Sequence, residues 1–486
     1  MVKKTQLITA YGKVLNDASF YSPAPNFDPQ AVVEELRGAA MEICQYGRDE
    51  PDKHLYKSLL SCCDEPFQRV VYKMSCTVKT HKPQGKNVIR ALHCMQRRSP
   101  MLPMCKFVSW ALKDKLQALP HLLRDSADFV DRIKNVQFSS KLRIMKIDVK
   151  DYFMSGSHQV LQAECAKFFD GSLKHQFRDA LSCVLANQFV QLHDVPVYFK
   201  VICGSGMGCA CSGEVSDGAF YQLCEIHFLN DSQYIRECGI KLYLRFKDDI
   251  IVFFDGDQQD SDRFYRDLSR RARPFRLELE SCASESASYL DVKVWRPRSF
   301  DNGGMLNYSV YTKRTSQWTP LSNFSMHHPS VHRAWPFSMR TRFFRLSRHK
   351  SDASDELLRF CSLLRQGGAD ESFVHALATS SSTSVSKKTS GGPSDIFLVI
   401  PYFPQWGGSG VQRAVARLNK TWSQVLGYRI RVAWKLGGAH LVALVKGFNC
   451  EIFDDAREHV AVSRVRVSWF SLEMYRGWTA GCLSFL

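Results

Sequence analysis

Several common features are missing from this 486-residue sequence, and each absence removes a class of function. No apolar run approaches the ~20 residues that a membrane-crossing helix needs, so no membrane role is expected. The start, Met1-Val-Lys-Lys-Thr-Gln-Leu7, is basic but lacks the continuous apolar core of a secretory leader. The 17 cysteines are odd in number and follow no such leader, which points to reduced thiols inside a cell rather than a disulfide framework. Zinc-finger spacing is missing too. Cys209-Ala-Cys211 and Cys62-Cys63 have no second Cys/His pair at finger distance, and His327-His328 with His332 has no nearby thiol, so core or loop roles are expected for all of them. Acid is in short supply: 48 Asp and Glu against 65 Lys and Arg leave a net charge of +17, which suits a polyanionic partner.

What is present reads as an ordered series of elements. Asp28-Pro29 gives a cap and a first-turn proline, and Val32, Leu36, Ala39 and Ile43 recur at helical spacing up to Gly47. A basic, turn-rich stretch follows around Lys79-Thr-His-Lys-Pro-Gln-Gly-Lys86 and Arg90. Leu142-Arg-Ile-Met-Lys-Ile-Asp148 predicts a strand ending in a carboxylate. Gly204-Ser-Gly-Met-Gly208 predicts a tight turn, and Ser212 opens and caps a helix carrying Val215, Ala219, Leu223 and Cys224. Lys241 to Phe254 predicts a hairpin presenting Lys247-Asp248-Asp249 at its tip. A second strand pair is expected over Ser288–Trp295 and Leu306–Tyr311, separated by Asp301-Asn-Gly-Gly304. Helical, arginine-rich sequence then runs to about Ala378. A Ser/Thr/Lys/Gly linker follows, and strand-forming residues return at Ile396–Ile400.

One acid ending a strand and an acid pair on a neighbouring hairpin is the arrangement that nucleotidyl transfer requires. Two divalent cations, one activating a primer hydroxyl and one holding a triphosphate, take carboxylate oxygens from adjacent strands. An Asp-Asp at a turn is, taken alone, usually a solvated loop. The order of the parts changes that weighting: a basic segment, a single acid, a glycine-rich turn entering a helix, then the acid doublet.

These segments resemble reverse transcriptases over roughly Lys73 to Val374. Asp148-Val-Lys-Asp-Tyr-Phe153 is similar to motif A, Gly204-Ser-Gly-Met-Gly-Cys-Ala-Cys-Ser212 to motif B, and Phe246-Lys-Asp-Asp249 to the aromatic-x-Asp-Asp box of motif C. Phe275-Arg-Leu-Glu-Leu-Glu280 and Tyr289-Leu-Asp-Val292 resemble motifs D and E. The Met207-Gly208 form of motif B, Val310-Tyr-Thr-Lys-Arg314, Ser325-Met-His-His-Pro329 and the Arg340–Arg348 stretch resemble the Penelope-like retroelement branch.

The resemblance implies catalytic metal ligands at Asp148, Asp248 and, more weakly, Asp249, holding two Mg²⁺ or Mn²⁺ ions. It implies nucleotide contacts from Lys82, Arg90, Phe153, Met207 and Gly208, with the Phe153 ring occupying the space of a 2′-hydroxyl. Nucleic-acid contacts are expected from Arg340, Arg342, Arg345 and Arg348, with Trp335, Phe343 and Phe344 packing the thumb core. Partners would be an RNA template, a DNA primer, their hybrid and deoxynucleotides, in an intracellular, nuclear setting. Two departures stand out. Lys247 sits in the acid box where a small or apolar residue is usual, and no GIY-YIG nuclease motif is found, as in a truncated or endonuclease-lacking form.

The expected fold is therefore α+β: a right-hand polymerase with fingers, a palm built on an antiparallel sheet and a helical thumb, plus a small C-terminal α/β module. The expected boundaries are 1–70 for helical support, 71–300 for fingers and palm, 301–378 for the thumb, 379–394 for the linker and 395–486 for the module. The expected activity is RNA-directed DNA polymerase, with a degenerate or domesticated nucleic-acid-binding form as the alternative. An RNA-copying, virus-type polymerase would place an acid near Phe153, and the aromatic there argues against it.

Overall fold

The computed structural model describes residues 4–46, 58–60, 70–78, 89–96, 99–191, 197–297, 303–312, 320–321, 329–380, 394–402, 416 and 428–436. The chain divides into two units, Met1–Gln317 with Leu346–Asp352, and Trp318–Arg345 with Ala353–Leu486. In chain order the strands of the first unit begin with β1 (Tyr21–Pro23), β2 (Tyr72–Val78), β3 (Ile89–Cys94), β4 (Leu142–Lys150), β5 (Phe189–Gln191) and β6 (Tyr198–Val201). They continue with β7 (Ile240–Phe246), β8 (Asp249–Asp255), β9 (Arg276–Ala283), β10 (Ser286–Tyr289), β11 (Val292–Trp295) and β12 (Asn307–Val310).

A four-stranded antiparallel sheet in the order β7-β8-β4-β9 carries the motifs. Period-two alternation sends Met145, Ile147 and Val149 of β4, with Ile250, Val252 and Phe254 of β8, into one core. Leu142, Ile144, Ile251 and Phe253 enter a second core on the other face. Burial on both faces explains the unbroken run Ile250-Ile-Val-Phe-Phe254, since each fully buried side chain of this size contributes about 1.5–3 kcal/mol. The first core is covered by helices Met101–Gln117, Gly171–Ala186 and Ser212–Phe220. Phe129, Val130 and Ile133 of helix Ser126–Ile133, with Tyr289, Val292 and Val294 of the three-stranded sheet β10-β11-β12, close the second.

The first helix, Lys4–Leu15, is followed by helix Pro29–Tyr46, which forms where its cap predicts: the Asp28 carboxylate accepts from Gln30 N at 2.8 Å. Its Val32, Leu36 and Ile43 enter the same core as the central sheet. A five-stranded sheet, β1-β6-β5-β2-β3, joins strands from either side of β4 in the sequence, with β2 and β5 parallel and its other pairs antiparallel.

The fold class is the α+β one expected, but three local expectations are revised. The strand predicted over Ser288–Trp295 is broken by Leu290, whose φ of 51° turns the chain back and makes β10 and β11 a hairpin. β4 runs two residues beyond Asp148, because Lys150 still pairs with Arg276 of β9. Ser212 is the first residue of its helix rather than the cap, and its hydroxyl donates to the Cys209 carbonyl at 3.0 Å.

The second unit contains helix Pro329–Arg345, the part of helix Lys350–Gln366 from Ala353, and helix Glu371–Thr379. Trp335 and Phe343 pack edge-on against Phe360 at centroid distances of 5.5 and 5.6 Å. Strands β13 (Ser394–Tyr402) and β14 (Tyr428–Leu436) pair in parallel, with the expected Ile396–Ile400 run inside β13. No helix among the described residues is long and apolar enough to cross a membrane.

Candidate active site

Register in the central sheet brings the acids together. Asp148 is the Cα partner of Asp249 on β8 and of Glu278 on β9. Paired residues of antiparallel strands project from the same face, so Asp249, Asp148 and Glu278 form a row across three strands. Lysines are interleaved with them. Lys150 Nζ lies 2.7 Å from Asp148 Oδ2 and 2.5 Å from Glu278 Oε2, and Lys146 Nζ lies 2.7 Å from Glu280 Oε2.

Asp248 occupies the turn. Phe246 pairs with Asp249, which leaves Lys247 and Asp248 as a two-residue connection. The first residue of such a tight hairpin favours glycine, yet Lys247 stands there with φ of 54°. Its own contacts hold it: Nζ pairs with Asp217, and its carbonyl accepts from Arg245 Nη1 at 3.1 Å. The Asp248 carbonyl accepts from Val149 N at 2.9 Å, and the Tyr289 hydroxyl donates to the Asp249 carbonyl at 2.8 Å. The doublet is thereby anchored through its backbone carbonyls.

The field there is acidic. Burial first, then Asp248, Glu280 and Asp148, push the Asp249 carboxyl up to about 6, with Lys146 opposing. The three aspartates do not converge as closely as the sequence suggests: among the described residues no three carboxylates lie within 4.8 Å of one another. Like charges separate, and Lys150 takes up Asp148.

The glycine-rich turn packs onto the segment that follows Asp148. The Phe153 carbonyl accepts from Ser205 N at 2.8 Å and Gly206 N at 3.1 Å. A Cβ at Gly204, which has φ of 75°, would collide with Met154 and Phe153 backbone, and one at Gly208 would strike the His93 carbonyl. His93 N donates to the Met207 carbonyl at 2.7 Å. Phe153 and Met207 are half-buried and Gly208 is exposed. The Phe153 ring meets Tyr152 edge-on at 5.2 Å.

Beneath the turn lies a charge cluster that the sequence reading missed. Arg245 is fully buried; Nε and Nη2 donate to Glu225 at 2.7 and 2.9 Å, and Nη1 donates to Asp217 and to the Tyr152 hydroxyl at 2.7 Å each. Glu225 also accepts from Tyr243 at 2.7 Å and lies 3.0 Å from His121 Nε2. Burial works to raise the Glu225 carboxyl, but Arg245 and His121 overcome it and hold it far below the usual range. Glu225 ends a π-helical turn, Tyr221–Glu225, that extends helix Ser212–Phe220. The cluster thus connects β7, that helix and the Tyr152-Phe153 segment. A signal was available: Arg245 shares the inward phase of β7 with Tyr243, where an unpaired ion is not tolerated.

The other expected contacts are dispersed. Lys82 lies outside the described residues, as does the side chain of Arg90, whose backbone pairs with Thr77. Arg340 is buried, bonded to the Ser380 carbonyl and stacked 4.8 Å above Phe344. Arg348 belongs to the first unit and donates to the Lys134 and Leu306 carbonyls at 3.2 and 3.1 Å. Arg342 and Arg345 are exposed on helix Pro329–Arg345.

No family model matches the chain. No curated protein matches it either. Among solved structures it is similar to telomerase from Candida albicans in complex with a fragment of telomeric RNA, at 11% identity and a TM-score of 0.47, covering 77% of this chain and 59% of that one. A telomerase from Candida tropicalis is similar at 14% identity and a TM-score of 0.38, covering 73% and 55%. The RNA-dependent RNA polymerase of a human picobirnavirus follows at 12% and 0.41, covering 64% and 57%. The chain thus spans less than two thirds of the length of each.

The donor set suits hard cations. Asp148, Asp248 and Asp249 offer only carboxylate oxygen, the ligand that Mg²⁺ and Mn²⁺ take. Burial is the main cause of the raised Asp249 carboxyl, and the neighbouring acids add to it against Lys146.

Proposed function

We propose that the chain is an RNA-templated DNA polymerase, a reverse transcriptase that extends a primer 3′-hydroxyl with deoxynucleotides. The observation that carries this reading is the in-register pairing of Asp148 with Asp249 beside a turn that presents Asp248. Asp148 and Asp248 would hold two Mg²⁺ or Mn²⁺ ions, with Asp249 as the weaker ligand. When bound, such ions lower the pKa of a hydroxyl nucleophile and neutralise charge on the phosphates.

The protein's own share is positioning. Phe153, fixed through its backbone by the Gly204–Gly206 turn, would exclude a 2′-hydroxyl by occupying its space. Met207 and Gly208 would lie against the nascent base pair, where the missing Cβ of glycine permits close approach. Lys82 and Arg90 would grip the triphosphate, and Arg342 and Arg345, three residues apart on a helix, would follow a phosphate backbone independently of sequence. In this reading residues 71–300 are fingers and palm and 301–378 the thumb of a right-hand polymerase. Met207-Gly208 and the 310–348 motifs favour a Penelope-like retroelement source.

One observation favours a second reading, nucleic-acid binding without turnover: the Lys150–Asp148 ion pair must open before Asp148 can take a cation. Extension of a primed RNA template with deoxynucleotides, in Mg²⁺ and in Mn²⁺, separates the two. Incorporation that disappears in Asp248→Ala supports the enzyme. Retained hybrid binding with no incorporation by the parent protein supports the binder.

A further inference from the structure

A second metal chemistry is built into the other side of the glycine turn. Cys105, in the second turn of helix Met101–Gln117, comes to Cys209 and Cys211, which follow Gly208, and the three sulfurs lie within 4.8 Å of one another. Cys105 Sγ is 3.5 Å from Cys209 Sγ, and Cys209 Sγ is 3.7 Å from Cys211 Sγ. These separations are too long for a disulfide, in which the sulfurs are ~2.05 Å apart. They match a tetrahedral thiolate site instead: ligands ~2.3 Å from a zinc ion stand ~3.8 Å from each other.

The surroundings fit that use. All three cysteines are at most 6% exposed. The Tyr72 hydroxyl, at the start of β2, stands 3.7 Å from Cys209 Sγ. His93 is 2% exposed, and its Nε2 is fixed 2.8 Å from the Tyr21 hydroxyl. Its Nδ1 faces the Gly206 position and has no hydrogen-bond partner among the described residues. His93 does not belong to the group, since among the described residues it is the three sulfurs alone that lie within 4.8 Å of one another.

We propose that Cys105, Cys209 and Cys211 bind a zinc ion, at a site separate from the carboxylate face and selective for thiophilic cations over Mg²⁺. Loading converts three thiols to thiolates and releases their protons to solvent. The bound ion ties helix Met101–Gln117 to the turn that holds Met207 and Gly208. The bland alternative is three core thiols in sulfur–sulfur hydrogen bonds, since cysteine is among the most buried residue types.

The test uses the full chain, produced with zinc present and purified under reducing conditions. Elemental analysis should find zinc equimolar with protein, resistant to washing with Mg²⁺ and released by a mercurial thiol reagent. Cys105→Ser and Cys211→Ser should each lose most of it, whereas Cys361→Ser, a buried cysteine elsewhere, should keep it. Cobalt added to metal-free parent protein should give thiolate-to-cobalt charge-transfer absorption, a readout that needs no variant to fold. A parent protein without zinc and without that absorption overturns the proposal. So does zinc content that Cys105→Ser and Cys211→Ser leave unchanged.

Discussion

The two faces of the β7–β8 hairpin manage charge in opposite ways. On one, Arg245 is sealed with Glu225, Asp217 and Tyr152, every guanidinium nitrogen is bonded, and the cluster is fully compensated. On the other, Asp249, Asp148 and Glu278 stand in a row with Lys146 and Lys150 between them, and burial plus neighbouring acid still raises Asp249 to about 6. Compensated charge under a turn fixes its geometry. The acid row beside it is partly exposed and only partly matched by Lys146 and Lys150. Variants on the first face should therefore cost stability, and variants on the second should cost activity.

The largest effect belongs to the acid face. Asp148→Ala and Asp248→Ala should each lower nucleotide incorporation by roughly 10³-fold or more, the loss of several kcal/mol of charge stabilisation. Their urea midpoints should stay near the parent's. A large fall in stability with proportionate loss of activity would erase the contrast between the faces. Next is Arg245→Met, which leaves buried Glu225 with only His121 and Tyr243, and Asp217 with only Lys247 and Tyr152, and should destabilise the first unit by about 3–5 kcal/mol. An unchanged denaturation midpoint would show that the cluster is not structural.

Phe153→Val sharpens the active-site side. It should reduce discrimination against ribonucleotides by roughly 10–200-fold while deoxynucleotide kcat/KM changes little. Unaltered sugar selection removes Phe153 from that role. Smaller again is Lys247→Ala, which loses a part-exposed ion pair to Asp217 and leaves a residue at φ of 54° held only through its carbonyl's bond from Arg245. It should slow extension a few-fold, and Lys247→Gly, which suits that backbone, should slow it less. Equal rates for the two would separate the turn's strain from its function.

How much of this was legible in the sequence differs between the same two faces. Two β-rich runs around a Lys-Asp-Asp tip announced the hairpin, and a similar run announced the strand before Asp148, because strand-forming runs and turn residues are local signals. Glu278 was hidden because its place opposite Asp148 depends on a register shift between β4 and β9 near Lys146. The Arg245 cluster was hidden more deeply. Asp217 and Glu225 lie 28 and 20 residues before Arg245, and a π turn sets the phase of Glu225, which helical periodicity does not foresee. The cysteines show the same limit: Cys209 and Cys211 looked solitary until helix packing supplied Cys105 from 104 residues away. In the arginine-rich helix Arg342 and Arg345 are both exposed, but their spacing could not foresee that Arg340 is buried.

The smallest predicted effect concerns pH. Burial first, then Lys200, lowers the His158 pKa below its ordinary 6.5. The unfolded chain then takes up a proton before the folded one does. The stability from the neutral ring is complete above about 6.5 and is lost as pH falls through that value towards the folded pKa. His158→Gln should flatten this acid slope in urea unfolding, and an unchanged slope would assign it to other groups.

Manganese binding, followed by electron paramagnetic resonance on the full chain with primed RNA template and a deoxynucleotide, tests the acid face most directly. Parent protein should bind two ions, and Asp148→Ala and Asp248→Ala should each weaken both, because the two carboxylates share them. Binding that neither variant alters would contradict a common metal site on that face.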